Sequence, residues 1–397
     1  SISQAAEGVT NEVTKDPESM DAKELDKLAK ELAVDLVFVA PDDPLVLGMA
    51  DAMQAEGFMT FGPKKNAAIL EGSKVFSKEL MQKYHIPTAE YRVFDKPQEA
   101  EAYLKEKNEY PTVIKADGLA LGKGVVIAQN EQEAFDAIAS IMEDKIFGES
   151  GSKVVIEEFL TGPEVSVLSF TDGKTVKPMV SSMDHKRALD GDQGLNTGGM
   201  GTVAPNPYYT PEIAQQCMDT IFLPTIRAMQ EEGRPFTGCL YFGLMLTPKG
   251  PKVIEYNCRF GDPETQVVLP LLDTDLVDIM LAIWNGTLDQ LDIQWKDGCA
   301  ACVVMASGGY PKKYATGLPI AGLDENGQTA NCFVYHAGTK LDGDTFLTAG
   351  GRVLGVTATA ATLPEALDTA YAGVKTISFQ DAHYRKDIGQ RALKALS

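Results

Sequence analysis

The stretch with the densest chemistry is an apolar strand that runs into a polar loop at residues 252–265. Glu255 and Asn257 stand two positions apart, so on an extended strand their side chains point to the same side. Their carboxylate and amide oxygens suit a hard cation such as Mg²⁺. Arg259 continues this face and offers a planar cation for a phosphate group. The spacing indicates a clamp for magnesium and phosphate, although an ordinary buried strand that ends in a polar surface loop explains this stretch equally well.

The composition limits the partners that such a clamp can serve. Of the 397 residues, 44% are hydrophobic and 23% are charged, which is typical of a globular chain with about two to four domains. The net charge of −20 repels polyphosphate backbones, so we expect no nucleic-acid partner, although a local cationic pocket can still bind a small anion. We see no long apolar run and no secretion signal, so we expect no membrane association. Six widely separated cysteines fit reduced thiols and predict a cytoplasmic location.

Short helices and strands alternate near the start of the chain. Residues 21–33 carry apolar side chains at helical spacing, residues 34–39 favour a buried strand, and residues 45–57 favour a helix that ends on glycine. This alternation predicts a parallel α/β sheet. The piece is small for a complete domain and has the pattern of the latter part of one, with its end at residues 62–63.

A glycine-rich segment lies between two apolar strands at residues 117–127. Glycine lets backbone amides approach an anion closely and lets a loop move. A strand rather than a helix follows, and no Lys-Ser/Thr pair is present, so the segment is not a Walker A loop. We interpret it as a hairpin flap over phosphates, with Lys115 and Lys123 as point charges. A flexible surface hairpin is the alternative.

A long polar loop precedes the clamp. It opens with Asp184 followed by His185, Lys186 and Arg187, which places three potential cations beside a carboxylate. Residues 196–201 form a second glycine-rich loop with many amide donors. A loop this long inside a compact domain is usually functional or disordered, and we favour a functional role.

The order of these motifs is more specific than any one of them. A lysine follows a helix break, a second lysine ends a strand, and the glycine flap follows; Glu-x-x-Leu-x-Gly-x-Glu and Glu-x-Asn-x-Arg complete the series. This order resembles the ATP-grasp family of carboxylate–amine ligases, and the likeness extends from about Val34 to the C-terminus. The matching stretches are residues 70–74, 115–120, 184–187, 196–201, 257–266 and 385–389.

The resemblance implies a multidomain α/β and α+β protein with an ATP-grasp fold. Residues 1–62 would be an N-terminal Rossmann-like pre-ATP-grasp domain whose front part is missing. Residues 63–292 would be the ATP-grasp domain, with the flap subdomain at about 88–165. Residues 293–397, where strand-like runs and turns precede a helix, would form a C-terminal α+β domain.

The resemblance also implies how ATP and its metal bind between two sheets. The positions that would bind ATP are Lys74, Lys115, Gly118, Gly122, Lys123, Gly124, Glu157, Phe159, Leu160 and Glu164. The lysines and the flap would contact the phosphates, the segment from Glu157 to Leu160 would border the adenine, and Glu164 would bind the ribose. Glu255 and Asn257 would hold Mg²⁺ or Mn²⁺. The catalytic residues would be Arg259, Lys115 and Lys123, which neutralise the transferred phosphoryl group.

The implied reaction joins glycine to 5-phosphoribosylamine and gives glycinamide ribonucleotide, ADP and phosphate in de novo purine biosynthesis. A carboxylate is a poor electrophile, so the glycine carboxylate must first become an acyl phosphate, and a closed flap would protect it from water. The substrate-binding positions would be Asp184, Lys186, Arg187, Asn196, Thr197, Gly198, Gly199, Asp262 and Pro263. We expect only these small-molecule partners, no covalent nucleophile and, from the family likeness, a monomer.

The sequence departs from the family pattern in two places. Many ATP-grasp enzymes carry another acidic metal ligand on the strand before the clamp, but here the aligned position is near Gly243, in a run without a carboxylate. A second metal would then be held differently or more weakly. The family also begins with a strand, a glycine-rich turn and a helix, about thirty residues that this chain starts after. Without them we expect an incomplete phosphoribosylamine site and an exposed sheet edge.

Two other functions remain compatible with the motifs. One is an ATP-grasp ligase of different purine or carboxylation chemistry, against which the loops at residues 184–187 and 196–201 argue. The other is a non-catalytic ATP-binding module, which would have no need for the full set of Lys115, Glu255, Asn257 and Arg259.

Overall fold

The computed structural model describes residues 22–119 and 124–397. Its first elements are α1 (Ala22–Glu31), β1 (Leu36–Phe38), α2 (Asp42–Leu47), α3 (Met49–Ala55) and β2 (Met59–Phe61). The two strands pair in parallel, which confirms the predicted α/β alternation. The single helix expected at residues 45–57 is two helices, because Gly48 between them has φ +101°, a conformation that ends the first helix.

Two linking helices, α4 (Lys65–Gly72) and α5 (Lys74–Lys83), lead into a smaller subdomain. The elements of this subdomain are β3 (Tyr91–Phe94), α6 (Pro97–Lys107), β4 (Thr112–Ala116), β5 (Val125–Ala128), α7 (Glu131–Ile138) and β6 (Val154–Glu158). The strands form an antiparallel sheet in the order β3-β6-β4-β5. Helices α6 and α7 bury an apolar core against it that includes Leu104, Ile114 and Ile138. The predicted hairpin around residues 117–127 therefore lies between β4 and β5. Of the hairpin, residues 120–123 lie outside the described part.

The central part of the chain is built on long antiparallel strands. Its elements are β7 (Glu164–Asp172), β8 (Val176–Pro178), β9 (Met183–Asp184), β10 (Arg187–Leu189), β11 (Gln193–Asn196), β12 (Gly201–Ala204), α8 (Pro211–Cys217), α9 (Leu223–Glu231), β13 (Thr237–Thr247), β14 (Gly250–Asn257), α10 (Thr265–Val268) and α11 (Leu276–Asn285). The main sheet has the order β14-β13-β7-β8, and β10 pairs with β11 in a separate hairpin. Helices α8 and α9 are joined by a π-helical turn at Met218–Phe222, just before Pro224.

The C-terminal part adds a second antiparallel layer. Its elements are β15 (Cys299–Ala306), β16 (Phe333–His336), β17 (Thr339–Asp342), β18 (Thr345–Thr348), β19 (Arg352–Ala360), α12 (Leu363–Thr376) and α13 (Gln390–Leu396). The sheet order β16-β19-β15-β12-β9 recruits two strands from the central part. Helix α12, which starts with a capping box between Thr362 and Glu365, covers this sheet. The α+β character expected here is confirmed, whereas the exact domain limits stay a prediction.

Within residues 22–119 and 124–397, no helix combines the length and the apolar character that crossing a bilayer requires.

Candidate active site

Residues from distant parts of the chain open into one cleft of about 1260 Å³. The predicted site residues that line it are Lys74, Lys115, Gly124, Glu157, Phe159, Leu160, Glu164, Asp184, Lys186, Arg187, Asn196, Thr197, Gly198, Glu255, Asn257, Arg259 and Asp262. Gly118, Gly199 and Pro263 contact residues of this set. Gly122 and Lys123 lie outside the described residues. The lysine strand end, the flap strands and the Glu-x-Asn-x-Arg strand thus share one cavity.

A β-bulge sets the orientation of the clamp on β14. In the pairing with β13, Gly243 lies opposite Glu255 but Leu244 lies opposite Val253, so Ile254 is an extra residue. Simple alternation would place Val253 and Glu255 on the same face. With the bulge, Val253 is buried in the core, while Glu255, Asn257 and Arg259 border the cleft.

Cations surround the Glu255 carboxylate. Lys186 Nζ lies 3.6 Å from Glu255 Oε1 and 3.9 Å from Glu164 Oε2. Burial alone would raise the pKa of Glu255, but Lys186, followed by Lys115 and Lys74, lowers it below the ordinary value. The attraction of Glu255 in turn raises the pKa of Lys186 well above its usual range. Glu255 is therefore ionised at neutral pH, as a metal ligand must be.

Lys115 and Lys74, the lysines predicted to contact the phosphates, are positioned by polar groups of the protein. Lys115 Nζ lies 3.1 Å from Glu157 Oε2 and donates to the Ile254 carbonyl at 3.2 Å, which the bulge presents to it. Lys74 Nζ donates to the Gly118 carbonyl at 3.1 Å, and burial lowers its pKa. Both ammonium groups lie on the cleft side of the two sheets, where an anion can reach them.

Sequence reasoning missed Lys78, which shares Glu157 with Lys115. Its Nζ lies 3.2 Å from Glu157 Oε2, donates to Thr88 Oγ1 at 2.8 Å, and is almost fully buried. Burial lowers the pKa of Lys78 to about 8, although Glu157 opposes the shift. Its position one helical turn after Lys74 was the available signal. The Glu157 side chain consequently orients two lysines, a task beyond the predicted contact with adenine.

The glycine-rich loop at residues 196–201 touches the loop that contains Asp262 and Pro263, and both loops carry predicted substrate-binding residues. Gly199 has φ +119°, and a side chain there would collide with the Pro263 ring and with Asp184. Arg352 joins the loops from the C-terminal part: its Nη1 donates to the Gly198 carbonyl at 2.9 Å, and its Nη2 lies 2.9 Å from Asp262 Oδ2. Sequence reasoning missed this arginine because it follows a Gly-Gly turn that suggested only a chain reversal.

A buried arginine anchors the β10–β11 hairpin to the C-terminal segment. Arg385, 1% exposed, pairs with Asp387 at 2.8 Å and with Asp192 at 3.0 Å, and it donates to the Arg187 carbonyl at 3.2 Å. The hydrogen bond from Arg385 lowers the pKa of Asp387 far below its usual range. Because Arg187 and Asn196 are paired across this hairpin, the arginine fixes the edge of the cleft that both residues line.

His185 is not one of the cleft cations that its sequence position suggested. The Gly389 N–H donates to His185 Nε2 at 3.1 Å, so the proton of the neutral ring is on Nδ1, which donates to the Gly201 carbonyl at 2.9 Å. Burial lowers the pKa of His185 to about 4. The residue links the long polar loop to the C-terminal segment as a neutral ring.

This geometry predicts a pH effect on stability. The folded-state pKa of His185 lies below its unfolded value near 6.5, so the unfolded state binds the proton first and stability falls as pH decreases below about 6.5. Between pH 7 and pH 5, we expect this group to remove about 2 kcal/mol of unfolding free energy. Urea unfolding at both pH values should show the loss in the unaltered protein but not in His185→Gln. The matched control is the same replacement at His85, which is exposed. A loss in His185→Gln equal to that of the unaltered protein would contradict the assignment.

The donor set at the clamp fits a magnesium or manganese ion bound together with phosphates. Within residues 22–119 and 124–397, no group of three or more His, Cys, Asp or Glu side chains is placed to hold a metal ion. Glu255 and the Asn257 amide oxygen provide two oxygen ligands, and Mg²⁺ commonly takes one or two protein ligands and completes its shell with phosphates and water. At Gly243, an added Cβ would lie 3.0 Å from Glu255 Cγ, so a side chain there would require the Glu255 side chain to shift.

Cys258 lies between two clamp residues but faces the opposite way. Its thiol is buried against the Ala67 and Ala68 carbonyls, and burial raises its pKa well above the usual value. These contacts place the Cys258 thiol in the hydrophobic core.

Comparison with family models matches nearly the whole chain. Residues 2–71 match the N domain of phosphoribosylglycinamide synthetase, residues 72–265 match its ATP-grasp (A) domain, and residues 300–391 match its C domain. A phosphoribosylamine–glycine ligase from Clostridium acetobutylicum is 50% identical over 368 residues, which cover 93% of this chain and 87% of that relative.

Solved structures agree with this match. The phosphoribosylamine–glycine ligase of Thermotoga maritima has a TM-score of 0.76 at 36% identity, covering 83% of this chain and 81% of that one. The biotin carboxylase domain of 2-oxoglutarate carboxylase from Hydrogenobacter thermophilus, solved with magnesium ADP and bicarbonate, has a TM-score of 0.71 at 19% identity, covering 91% and 78% of the two chains. This second likeness shows the fold alone. The resemblance found in the motifs is thus confirmed, and the chain belongs to the phosphoribosylglycinamide synthetase family of ATP-grasp ligases.

Proposed function

We propose that the chain joins glycine to 5-phosphoribosylamine with ATP and releases glycinamide ribonucleotide, ADP and phosphate, a step of purine biosynthesis. One observation carries the proposal: Lys115 from one motif, and Glu255 and Arg259 from another, line a single cleft together with residues of the loops at 184–187 and 196–198. Phosphoryl transfer requires this kind of positioning and charge neutralisation more than it requires a protein nucleophile.

ATP fits between the two sheets that wall the cleft. Apolar side chains from both sheets line it, namely Val113, Val125 and Ile127 from the smaller subdomain and Met245 from β13. We assign the adenine to this apolar part beside Phe159 and Leu160, and the ribose to Glu164. The phosphates then reach Lys74 and Lys115, and the segment between β4 and β5 covers them.

The reaction takes place in two steps. A glycine carboxylate oxygen forms a bond to the γ-phosphorus of ATP while the bond to the bridging oxygen breaks, so ADP leaves and glycyl phosphate forms. The amine nitrogen of 5-phosphoribosylamine then attacks the carbonyl carbon, phosphate leaves, and the nitrogen loses a proton. Arg259, Lys74 and Lys115 neutralise the phosphoryl charge, and covering the cleft keeps water from the glycyl phosphate.

The metal belongs to the same arrangement. Members of the ATP-grasp family use ATP with Mg²⁺ or Mn²⁺, and we propose Mg²⁺ or Mn²⁺ for this chain, held by Glu255 and Asn257. When bound, such an ion supplies charge neutralisation at the transferring phosphoryl group.

The polar loops are assigned to glycine and to the ribose phosphate. Asp184, Lys186, Arg187 and residues 196–198 line the cleft. We further propose a cytoplasmic monomer; the six cysteines are free thiols, which suits a reducing compartment.

A coupled ADP-release assay tests the function. Turnover only when both glycine and 5-phosphoribosylamine are present supports the proposal. Turnover with a different acid or amine would assign the chain to another ATP-grasp chemistry. ATP binding without turnover would indicate a non-catalytic module.

Arg352 provides a more local prediction. Because it ties the Gly198 loop to Asp262, replacing it by glutamine should loosen both substrate loops while the ATP contacts stay intact. We expect the KM for 5-phosphoribosylamine or glycine to rise about tenfold, since a hydrogen bond to a charged group contributes about 1.5–3 kcal/mol. The KM for ATP should change less than about twofold.

Arg234→Gln is the matched control for this measurement. Arg234 also donates to a backbone carbonyl, that of Asn66, and stacks on Phe76, but it lies outside the cleft. A rise in the KM for ATP in Arg352→Gln that equals the rise for the other substrates would contradict the loop assignment.

A further inference from the structure

One carboxylate outside the clamp receives hydrogen bonds from Asn257 and Cys258 and forms an ion pair with Arg259. Glu71 lies near the C-terminal end of α4, and only 5% of its side chain is exposed. Its Oε1 accepts from Asn257 Nδ2 at 3.1 Å and pairs with Arg259 Nη2 at 3.1 Å. Its Oε2 accepts from the Cys258 backbone N–H at 2.7 Å. A single side chain from the N-terminal third of the protein therefore holds the segment that follows Glu255.

The hydrogen bond from Asn257 determines which end of its amide faces the cleft. Two hydrogen-bond donors and the Arg259 guanidinium face Glu71, as they would face an ionised carboxylate, which only accepts hydrogen bonds. The NH₂ group of Asn257 must then point toward Glu71, and the amide oxygen is left for the cleft. A hard cation requires that oxygen and would be repelled by the NH₂ group. In the reversed orientation, the amide oxygen would instead lie against the carboxylate.

The same carboxylate limits the movement of Arg259. Arg259 Nη2 lies 3.1 Å from Glu71 Oε1 and 4.0 Å from Asp42 Oδ2, so both acidic partners come from the same N-terminal region. Without them, a long and partly exposed side chain would sample many rotamers and would lose that freedom when it bound a phosphoryl group.

We infer that Glu71 is a positioning residue, which fixes the Asn257 amide and the Arg259 guanidinium so that the clamp presents an oxygen ligand and a planar cation in one arrangement. The inference rests on the proposed function, because it gives Glu71 a task toward the metal and phosphate of that reaction. Residues that hydrogen-bond to metal ligands commonly change metal affinity by about 10- to 100-fold.

An exchange of the two side-chain types tests this role without relying on activity. Mn²⁺ binding is measured by electron paramagnetic resonance in the presence of a non-hydrolysable ATP analogue, for Glu71→Gln, Asn257→Asp and the double variant. We expect Glu71→Gln to bind Mn²⁺ at least about tenfold more weakly, since the amide of Asn257 is no longer held in one orientation. In the double variant, the new amide at position 71 can donate to the new carboxylate at position 257. We therefore expect its affinity to return to within about threefold of the unaltered protein.

Glu232→Gln is the matched control. Glu232 also accepts from two side chains, Lys83 and Tyr84, but it lies outside the cleft. Its replacement should leave Mn²⁺ affinity unchanged. Equal affinities of Glu71→Gln and the unaltered protein, or a double variant that binds no better than Glu71→Gln, would overturn the inference.

Asn257→Asp alone keeps the inference testable if Glu71→Gln does not fold. The new carboxylate would face Glu71, so we expect no gain in Mn²⁺ affinity despite the added negative charge on the ligand. Tighter binding than in the unaltered protein would overturn the positioning role. Turnover of the unaltered protein is a separate result: binding of Mn²⁺ and the ATP analogue without ligation would end the proposed function, while the variant series would still decide the role of Glu71.

Discussion

Replacing Glu255 by alanine should lower turnover by about 10³-fold or more while the protein remains folded. In the proposed function this carboxylate holds the metal, and it lies among Lys186, Lys115 and Lys74, which lower its pKa and keep it ionised. A bound metal contributes several kcal/mol to neutralising charge in the transition state, and each 1.4 kcal/mol corresponds to a tenfold change in rate. Steady-state ADP release at saturating ATP measures the loss, and a titration with Mn²⁺ shows whether excess metal restores activity.

Glu56→Ala is the control for this variant. Glu56 is also paired with a lysine, Lys30, at 2.8 Å, but it lies outside the cleft, so turnover should stay within about twofold of the unaltered value. Thermal unfolding of both variants identifies any loss of fold. Near-normal turnover in Glu255→Ala would remove the clamp from the mechanism, whatever the remaining residues do.

The sequence predicts the positions of Glu255 and Asn257 in the clamp, but simple strand alternation does not explain the orientation of the residues before them. Simple alternation along β14 places Glu255 and Asn257 on one face, and the structure has them there. The same alternation would place Val253 beside them, and the bulge at Ile254 instead buries it in the core. A bulge depends on pairing with β13 and leaves no local pattern in the strand that contains it.

The residues that sequence reasoning missed share one property. Glu71 and Arg352 contact the clamp or the substrate loops, and Lys78 contacts Glu157, in each case from a segment that is distant in sequence. Their neighbours suggest an ordinary helix or turn, because nothing local reveals which buried partner a charged side chain will meet. Burial without a partner is costly for such groups, so each of them had to find one, but only the tertiary structure determines which.

His185 shows the opposite error. A histidine next to Lys186 and Arg187 suggests a cationic cluster, yet His185, which directly follows the end of β9, is buried in the interior, where its ring links Gly201 to Gly389. The two neighbours of His185, Asp184 and Lys186, line the cleft. The motif order, by contrast, predicted the fold and the family because each motif is bound to a particular strand end or loop of the ATP-grasp architecture.

Lys115→Met should lower kcat/KM for ATP by about 10- to 100-fold, mainly through the KM for ATP. The ammonium group of Lys115 lies at the end of β4, is 7% exposed, and is already directed by Glu157 and the Ile254 carbonyl. Methionine keeps the length and removes the charge, so one charge-assisted contact to a phosphate, about 1.5–3 kcal/mol, is lost. Initial rates over a range of ATP concentrations at saturating glycine and 5-phosphoribosylamine measure this effect.

The stability of Lys115→Met separates the contact with ATP from a structural role. Lys78 still pairs with Glu157 in the variant, so unfolding free energy should fall by less than the roughly 3–5 kcal/mol that an uncompensated buried charge costs. The matched control is Lys252→Met, since Lys252 on β14 lies 3.5 Å from Glu158 on β6 but does not line the cleft. If both variants lost stability equally and both kept the ATP dependence of the unaltered protein, Lys115 would be a structural lysine. The phosphate site would then have to lie elsewhere in the cleft.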